Sequence, residues 1–265
     1  MRRIRIALVT ATLAAATVIA TLVASAGAST SAAGAVVVPR GQPVQFAFTA
    51  DTAELGDYST AFKNAIQMAI EQHPRIKGFP IQVNDVETNC FDDNTASATA
   101  IVANTQNTAV IGNLCSFGFV SALPIYEAAG VVAISGSATA DFLPGALGPT
   151  VFNRTVVRDG DGGAGWFSQV SALPSVLAWN QDYQAQFGTA ALDLAPFYFD
   201  AASLLLRRLK QVSKVVHGNL VFDRAALAEA VRNTADFKGV TCRITLDPAT
   251  GDRVNDPAAL ARCAG

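Results

Sequence analysis

The chain has 265 residues, of which 51% are hydrophobic and 15% charged, with a formal net charge of -2. That is a globular composition, long enough for one large or two small domains. Nothing in the charge balance points to nucleic acid or an acidic membrane surface, because the 19 basic residues are scattered without a long run.

The N-terminus reads as an export signal. Arg2, Arg3 and Arg5 precede a long apolar run that ends in small residues around Ala24 and Ala26. A basic region, an apolar region and small residues are the parts of a secretory signal, expected over 1–26, with cleavage after Ala26 or Ala28. An uncleaved membrane anchor is the rival reading. No cysteine lies near enough for a lipoprotein anchor. Residues 27–43 read as a linker.

A regular alternation follows. VQFAFTA (44–50) is an apolar strand. DYSTAFKNAIQMAIEQH (57–73) places Phe62, Ile66, Ala69 and Ile70 on one helical face. FPIQVNDVE (79–87) is a strand, and NTASATAIVANTQN (94–107) is a helix with Ala98, Ile101 and Val102 inward. TAVIGNL (108–114) is the third strand, FGFVSALPIYEAAG (117–130) a helix stopped by Gly130, and VVAIS (131–135) the fourth strand. Strands alternating with helices through short connections predict an α/β fold, a parallel sheet with helices on both faces. In such sheets ligands sit beyond the carboxyl ends of the strands. Those ends carry TADTAELGDYS, NDVETNCFDDN, GNLCSFG and SGSATADF, rich in Gly, Ser, Thr and Asp.

The later half is less regular. RDGDGGAGW (158–166) is a turn-rich break. Helices are expected over 174–188, 194–212 and 223–233, the last capped by Asp223. FKGVTCRITLDPATGDRV (237–254) reads as a β-hairpin around DPATGD.

Four cysteines, Cys90, Cys115, Cys242 and Cys263, fit an oxidising compartment and allow three disulfide pairings. The nearest-neighbour choice is Cys90–Cys115 with Cys242–Cys263, each closing a loop worth about 3 kcal/mol. Zinc is disfavoured, since there is no C-x-x-C pair and His73 and His217 lie far from the cysteines. The acidic runs at 85–94 and 159–163 lack the spacing of a calcium loop, so no metal and no cofactor is expected. No G-x-S-x-G, P-loop, H-E-x-x-H or G-x-G-x-x-G is present, and no enzyme is expected. Ser116, between the third strand and its helix, can offer a hydroxyl and helix-start N–H groups to a carboxylate, or can simply cap the helix. Ser137 and Thr139 follow the next strand, on the same edge.

The stretches AELGDYSTAFKNAIQMAIE, VIGNLCSFGFVSALPIYEAAGVVAISGSATADFL and FNRTVVRDGDGGAG carry a resemblance. From Phe46 to Gly165 the chain resembles the first lobe of the type I periplasmic solute-binding proteins. The nearest subgroup is the leucine/isoleucine/valine-binding proteins of ABC transporters. The resemblance implies extracytoplasmic binding of an amino acid or similar small carboxylate and delivery to an ABC permease. It places Cys90 and Cys115 at the family's first-lobe disulfide. It implies that Ser116 holds the ligand carboxylate, flanked by Cys115 and Phe117, with Thr139 and the Ser137–Ala138 backbone assisting. Leu55 stands where the family often has an aromatic residue. A larger departure follows FNRT. About a hundred residues, a domain's worth, of the family's second lobe have no counterpart, nor do the acid and tyrosines that lobe supplies. The expected organisation is a single lobe over 44–262. It comprises a first segment 44–158, a short crossover 159–173 in place of lobe two, and a return segment 174–262. The uncovered cleft face is a candidate dimer or protein-partner surface, so the alternatives to transport are a single-lobe interaction module or an eroded paralogue without transport function.

Overall fold

A computed structural model of the protein describes residues 34–143 and 151–264. The expected signal segment and the first part of the linker lie outside the described residues.

The predicted alternation is present. β2 (Val44–Ala50), β4 (Phe79–Glu87), β5 (Asn107–Ile111), β6 (Ala133–Ser135) and β7 (Phe152–Arg154) run parallel, and β3 (Arg75–Ile76) adds antiparallel to β4. The order is β3-β4-β2-β5-β6-β7. β2 is central and mostly apolar because each face meets helices. Phe46 and Phe48 enter the larger core, with α1 (Gly56–Gln72) and α6 (Ala195–Val212). Ala47 enters the smaller core on the other face, with α2 (Thr95–Ala103) and α3 (Gly118–Ala129). Ile111 and Val110 of β5 divide in the same way. The four inward residues expected of α1 are all buried. The return segment completes the first layer: Tyr198 on α6 stacks on Phe62 of α1, ring centroids 4.2 Å apart.

Several boundaries move, each for a local reason. α2 ends at Ala103, since the Asn107 amide turns back to donate to the Ile101 carbonyl at 3.0 Å. β5 ends at Ile111, where Gly112 takes φ +124°; a Cβ there would lie 2.1 Å from Thr49 Oγ1 and 2.9 Å from the Thr49 carbonyl oxygen. The turn therefore requires glycine. Asp223 caps α7 (Arg224–Arg232) as expected, accepting from the Ala226 N–H at 3.0 Å.

Three expectations are corrected. The linker contains β1 (Ala35–Val38), which pairs antiparallel with β9 (Asn219–Asp223), beside β8 (Lys214–Val216). Its valines alternate inward and outward, with Val36 and Val38 buried and Val37 exposed, and the inward pair joins the larger core. The hairpin β10 (Phe237–Gly239) to β11 (Cys242–Ile244) turns at Val240 and Thr241, because Asp200 accepts both of their N–H groups. DPATGD forms a separate turn closed by a bridge between Leu246 and Arg253. The crossover holds a 3₁₀ turn (Asp159–Asp161) and α4 (Gly163–Ser171), followed by α5 (Pro174–Phe187); residues 155–194 contain no strand. α8 (Pro257–Ala264) ends the described chain, tied to β11 by a disulfide between Cys242 and Cys263.

Among the described residues no helix is long and apolar enough to cross a membrane, and no cluster of His, Cys, Asp and Glu is arranged to hold a metal ion.

Candidate functional site

Because β2, β4, β5, β6 and β7 are parallel, the loops that follow them gather on one edge of the sheet. Side-chain ties hold these loops. Asp51, after β2, accepts from the Glu54 N–H at 2.9 Å and from the Cys90 N–H at 2.9 Å. The Cys90–Cys115 disulfide then joins the loop after β4 to the loop after β5. The Asn94 amide donates to the Asn89 carbonyl at 2.7 Å and the Gly118 carbonyl at 3.1 Å, and the Asn113 amide reaches Gly118 too, at 2.7 Å. These bonds fix the start of α3. The pair Cys90→Ala/Cys115→Ala is expected to lose about 3 kcal/mol of unfolding free energy, measured by urea titration under oxidising conditions.

Ser116 does not cap α3; that helix has no side-chain cap, and its N-terminal flank is Phe117. The Ser116 hydroxyl oxygen instead accepts the Ala140 N–H at 3.1 Å, stitching its loop to the loop after β6. It keeps its own proton to donate. Ser116 is half-buried, and neither its N–H nor that of Phe117 has a partner among the described residues. Thr139 is half-buried as well. Its carbonyl accepts from Asp159 at 2.9 Å, while its hydroxyl is unpartnered among the described residues. Two hydroxyl donors and N–H groups at a helix start suit one chemistry, the binding of a small anion such as a carboxylate. Aromatic rings lie beside these loops: Phe117 is 60% exposed, with the Phe142 ring centroid 5.3 Å from its own.

The Ser137–Ala138 backbone does not present itself to a ligand as expected. Both N–H groups are taken by Ser135 Oγ, at 3.2 and 3.0 Å, and the Ala138 carbonyl by Arg154 at 3.0 Å. The Ser137 hydroxyl also turns inward, bonding the Leu114 carbonyl and lying 2.8 Å from Tyr198 Oη. The reason is close packing. A Cβ on Gly136 would lie 2.7 Å from the Tyr198 ring, so this loop is pressed onto α6 and its polar groups are used there. Leu55 packs against the larger core, its N–H bonded to the Asp51 carbonyl at 3.1 Å. It is linked to the Ser116 loop through Asp51, Cys90 and the disulfide. Cys115 is occupied in that disulfide.

Two buried arginines that support this edge escaped the sequence reading. Arg154 is fully buried, donates to Asp252 Oδ1 at 2.7 Å, and holds the Ala138 and Ala140 carbonyls, both at 3.0 Å. It positions the loop that carries Thr139. Arg253 donates to the Thr155 carbonyl and to Thr241, and its guanidinium lies 4.9 Å over the Trp166 ring. Burial, opposed by the charge of Asp200, brings its pKa down to about 10. Burial raises the Asp200 carboxyl, against the donors of Thr241 and Val240 and the charge of Arg253. For Arg154 the available signal was an arginine inside the largely apolar run VFNRTVV, which marks burial without naming a partner; Arg253, in GDRVND, has no such signal.

No protein-family model and no curated protein matches the chain. Solved structures do. A leucine-binding protein from Thermotoga maritima aligns at TM-score 0.66 and 14% identity, covering 80% of this chain and 93% of that one. The chain has the type I periplasmic-binding-protein fold. A branched-chain amino acid binding protein from Streptococcus pneumoniae, in complex with isoleucine, aligns at 0.62 and 15%, covering 81% of this chain and 94% of that one. A solute-binding protein from Rhodopseudomonas palustris, in complex with 3,4-dihydroxybenzoic acid, aligns at 0.66 and 12%, covering 80% and 91%. In this chain, the type I fold rests on one six-stranded sheet with both faces covered.

Proposed function

We propose that the protein is an extracytoplasmic solute-binding protein of the ABC-transporter type, taking an amino acid or similar small carboxylate. The observation that carries this reading is the edge just described, where Ser116 and Thr139 have hydroxyl protons to donate beside unpartnered N–H groups at the start of α3. Solved proteins of the same fold hold isoleucine or 3,4-dihydroxybenzoic acid. The disulfides and the basic-apolar N-terminus support export. The absence of a strand in residues 155–194 supports a single lobe that delivers half a site. Half a site leaves the carboxylate in contact with water, so intrinsic affinity is near millimolar, about -4 kcal/mol.

The test is a thermal-shift screen against leucine, isoleucine and benzoate at millimolar concentration, followed by titration. A shift with one ligand class, lost in Ser116→Ala and weakened roughly tenfold in Thr139→Ala, is expected, since a hydrogen bond to a charged group is worth about 1.5–3 kcal/mol. Micromolar binding of leucine to the monomer would overturn the half-site. No shift from folded protein would overturn solute binding altogether.

A second reading has its own observation. Phe91 is 72% exposed and Phe117 60%, both on loops at this edge. Such exposed aromatics suit a protein partner or a second copy. Light scattering that shows a concentration-dependent mass, abolished in Phe91→Ser/Phe117→Ser, is the result that favours it.

A further inference from the structure

A cavity lies away from this edge. α1 starts at the loop edge and runs 17 residues, about 25 Å, so its end at Gln72 and His73 approaches the opposite edge of the sheet. There a groove of about 650 Å³ opens between the end of α1, β3, the outward face of α6 and β10. Its floor is apolar, formed by Ile76, Phe199, Leu206 and Phe237. Its walls carry His73, Arg75, Arg207, Lys210 and Lys238, all exposed.

The charges are unbalanced. None of these five groups makes an ion pair among the described residues; Arg75 spends one N–H on the Gly78 carbonyl at 3.0 Å. The nearby carboxylates, including Asp200, which itself lines the groove, are hydrogen-bonded or paired within the protein. Asp200 accepts from Val240 and Thr241, Asp236 pairs with Arg243 at 3.2 Å, and Glu71 accepts from Gln67 and Gln186. In a protein whose net charge is negative, four or more cations around one apolar cavity form a local positive field. The long Arg and Lys stems extend the apolar lining while their heads stay at the rim.

We propose that this groove is a binding site for an amphipathic anion, an acyl or aryl group bearing one carboxylate or sulfonate. The apolar body lies on Leu206 and Phe237, and the anionic head is held by Arg207 and Lys210, one helical turn apart on α6, with Arg75 or Lys238 facing them. The site is separate from the Ser116 edge and does not depend on the function proposed for that edge.

The experiment titrates the fluorescent aryl sulfonate 8-anilinonaphthalene-1-sulfonate into the folded protein and then competes it with dodecanoate. Saturable binding with Kd on the order of 10 µM, displaced by dodecanoate and weakened by high salt, is expected. Arg207→Glu/Lys210→Glu should weaken it at least about tenfold. Lys214→Glu, a charge reversal outside the groove, and Ser116→Ala should leave it unchanged. Lys238→Glu, on the facing wall, provides a second probe if the double variant is unstable. Equal binding in the charge-reversed proteins, equal binding of the neutral analogue N-phenyl-1-naphthylamine, or failure of dodecanoate to displace the dye would overturn the proposal.

Discussion

Arg154→Ala will lower the unfolding free energy by about 3–5 kcal/mol, the usual cost of removing one partner of a buried ion pair. Arg154 is fully buried, and the carboxylate it meets, Asp252, is only 6% exposed. Without the guanidinium, Asp252 loses its buried ion-pair partner, and the charges of Arg232 and Arg158 are left to act on it. The Ala138 and Ala140 carbonyls, each 3.0 Å from Arg154, lose their donor in the same step. Urea unfolding followed by circular dichroism reads the loss. Arg154→Met/Asp252→Asn separates the two contributions: with the stranded charge gone, part of the stability should return, and the difference is the coupling between the pair. The functional consequence is distinct. Thr139 lies between the two carbonyls that Arg154 holds, so any ligand shift that depends on Ser116 and Thr139 should vanish in Arg154→Ala even at temperatures where the variant is folded. A loss of stability below about 1 kcal/mol would show that Arg154 is not the organising contact of this edge.

Asp200→Ala is expected to cost a similar amount, about 3–5 kcal/mol, through a different mechanism. The Asp200 carboxylate accepts the Val240 N–H at 2.8 Å, the Thr241 N–H at 2.9 Å and the Thr241 hydroxyl. It thereby builds the turn of the β10–β11 hairpin from the side of α6. Thr241 in turn accepts from Arg253, at 2.7 Å through its hydroxyl and 2.6 Å through its carbonyl. Alanine leaves two turn amides without an acceptor and the Arg253 cation without an opposing charge. Hydrogen exchange of Val240 and Thr241 should accelerate, and the thermal transition should fall. Unchanged exchange at these two amides would show that the hairpin closes without Asp200.

The α/β alternation, the inward face of α1, the Asp223 cap and the edge that carries Ser116 were legible in the sequence. Each depends on a period or a local hydrogen-bonding preference: two residues for a strand, 3.6 for a helix, a short polar side chain at a cap. The strand β1 was not legible, because AVVV has no meaning as a strand until β9 arrives from nearly two hundred residues away to pair with it. The hairpin turn was misplaced for the same reason. DPATGD has the local chemistry of a turn, yet Asp200 selects Val240 and Thr241 from outside. Ser137 and Ala138 look like site residues in sequence, and only the approach of Tyr198 to Gly136 turns their polar groups inward. The roles of Arg154 and Arg253 belong to the same category, since each buried guanidinium takes one acceptor about a hundred residues distant in the chain. What the sequence by itself determined is therefore the sheet, its helices and the edge where loops gather, because short-range periodicity encodes them. Which hydroxyls on that edge stay free to meet a ligand was decided only by tertiary structure, because a polar group is available only if no distant partner has already taken its hydrogen bond.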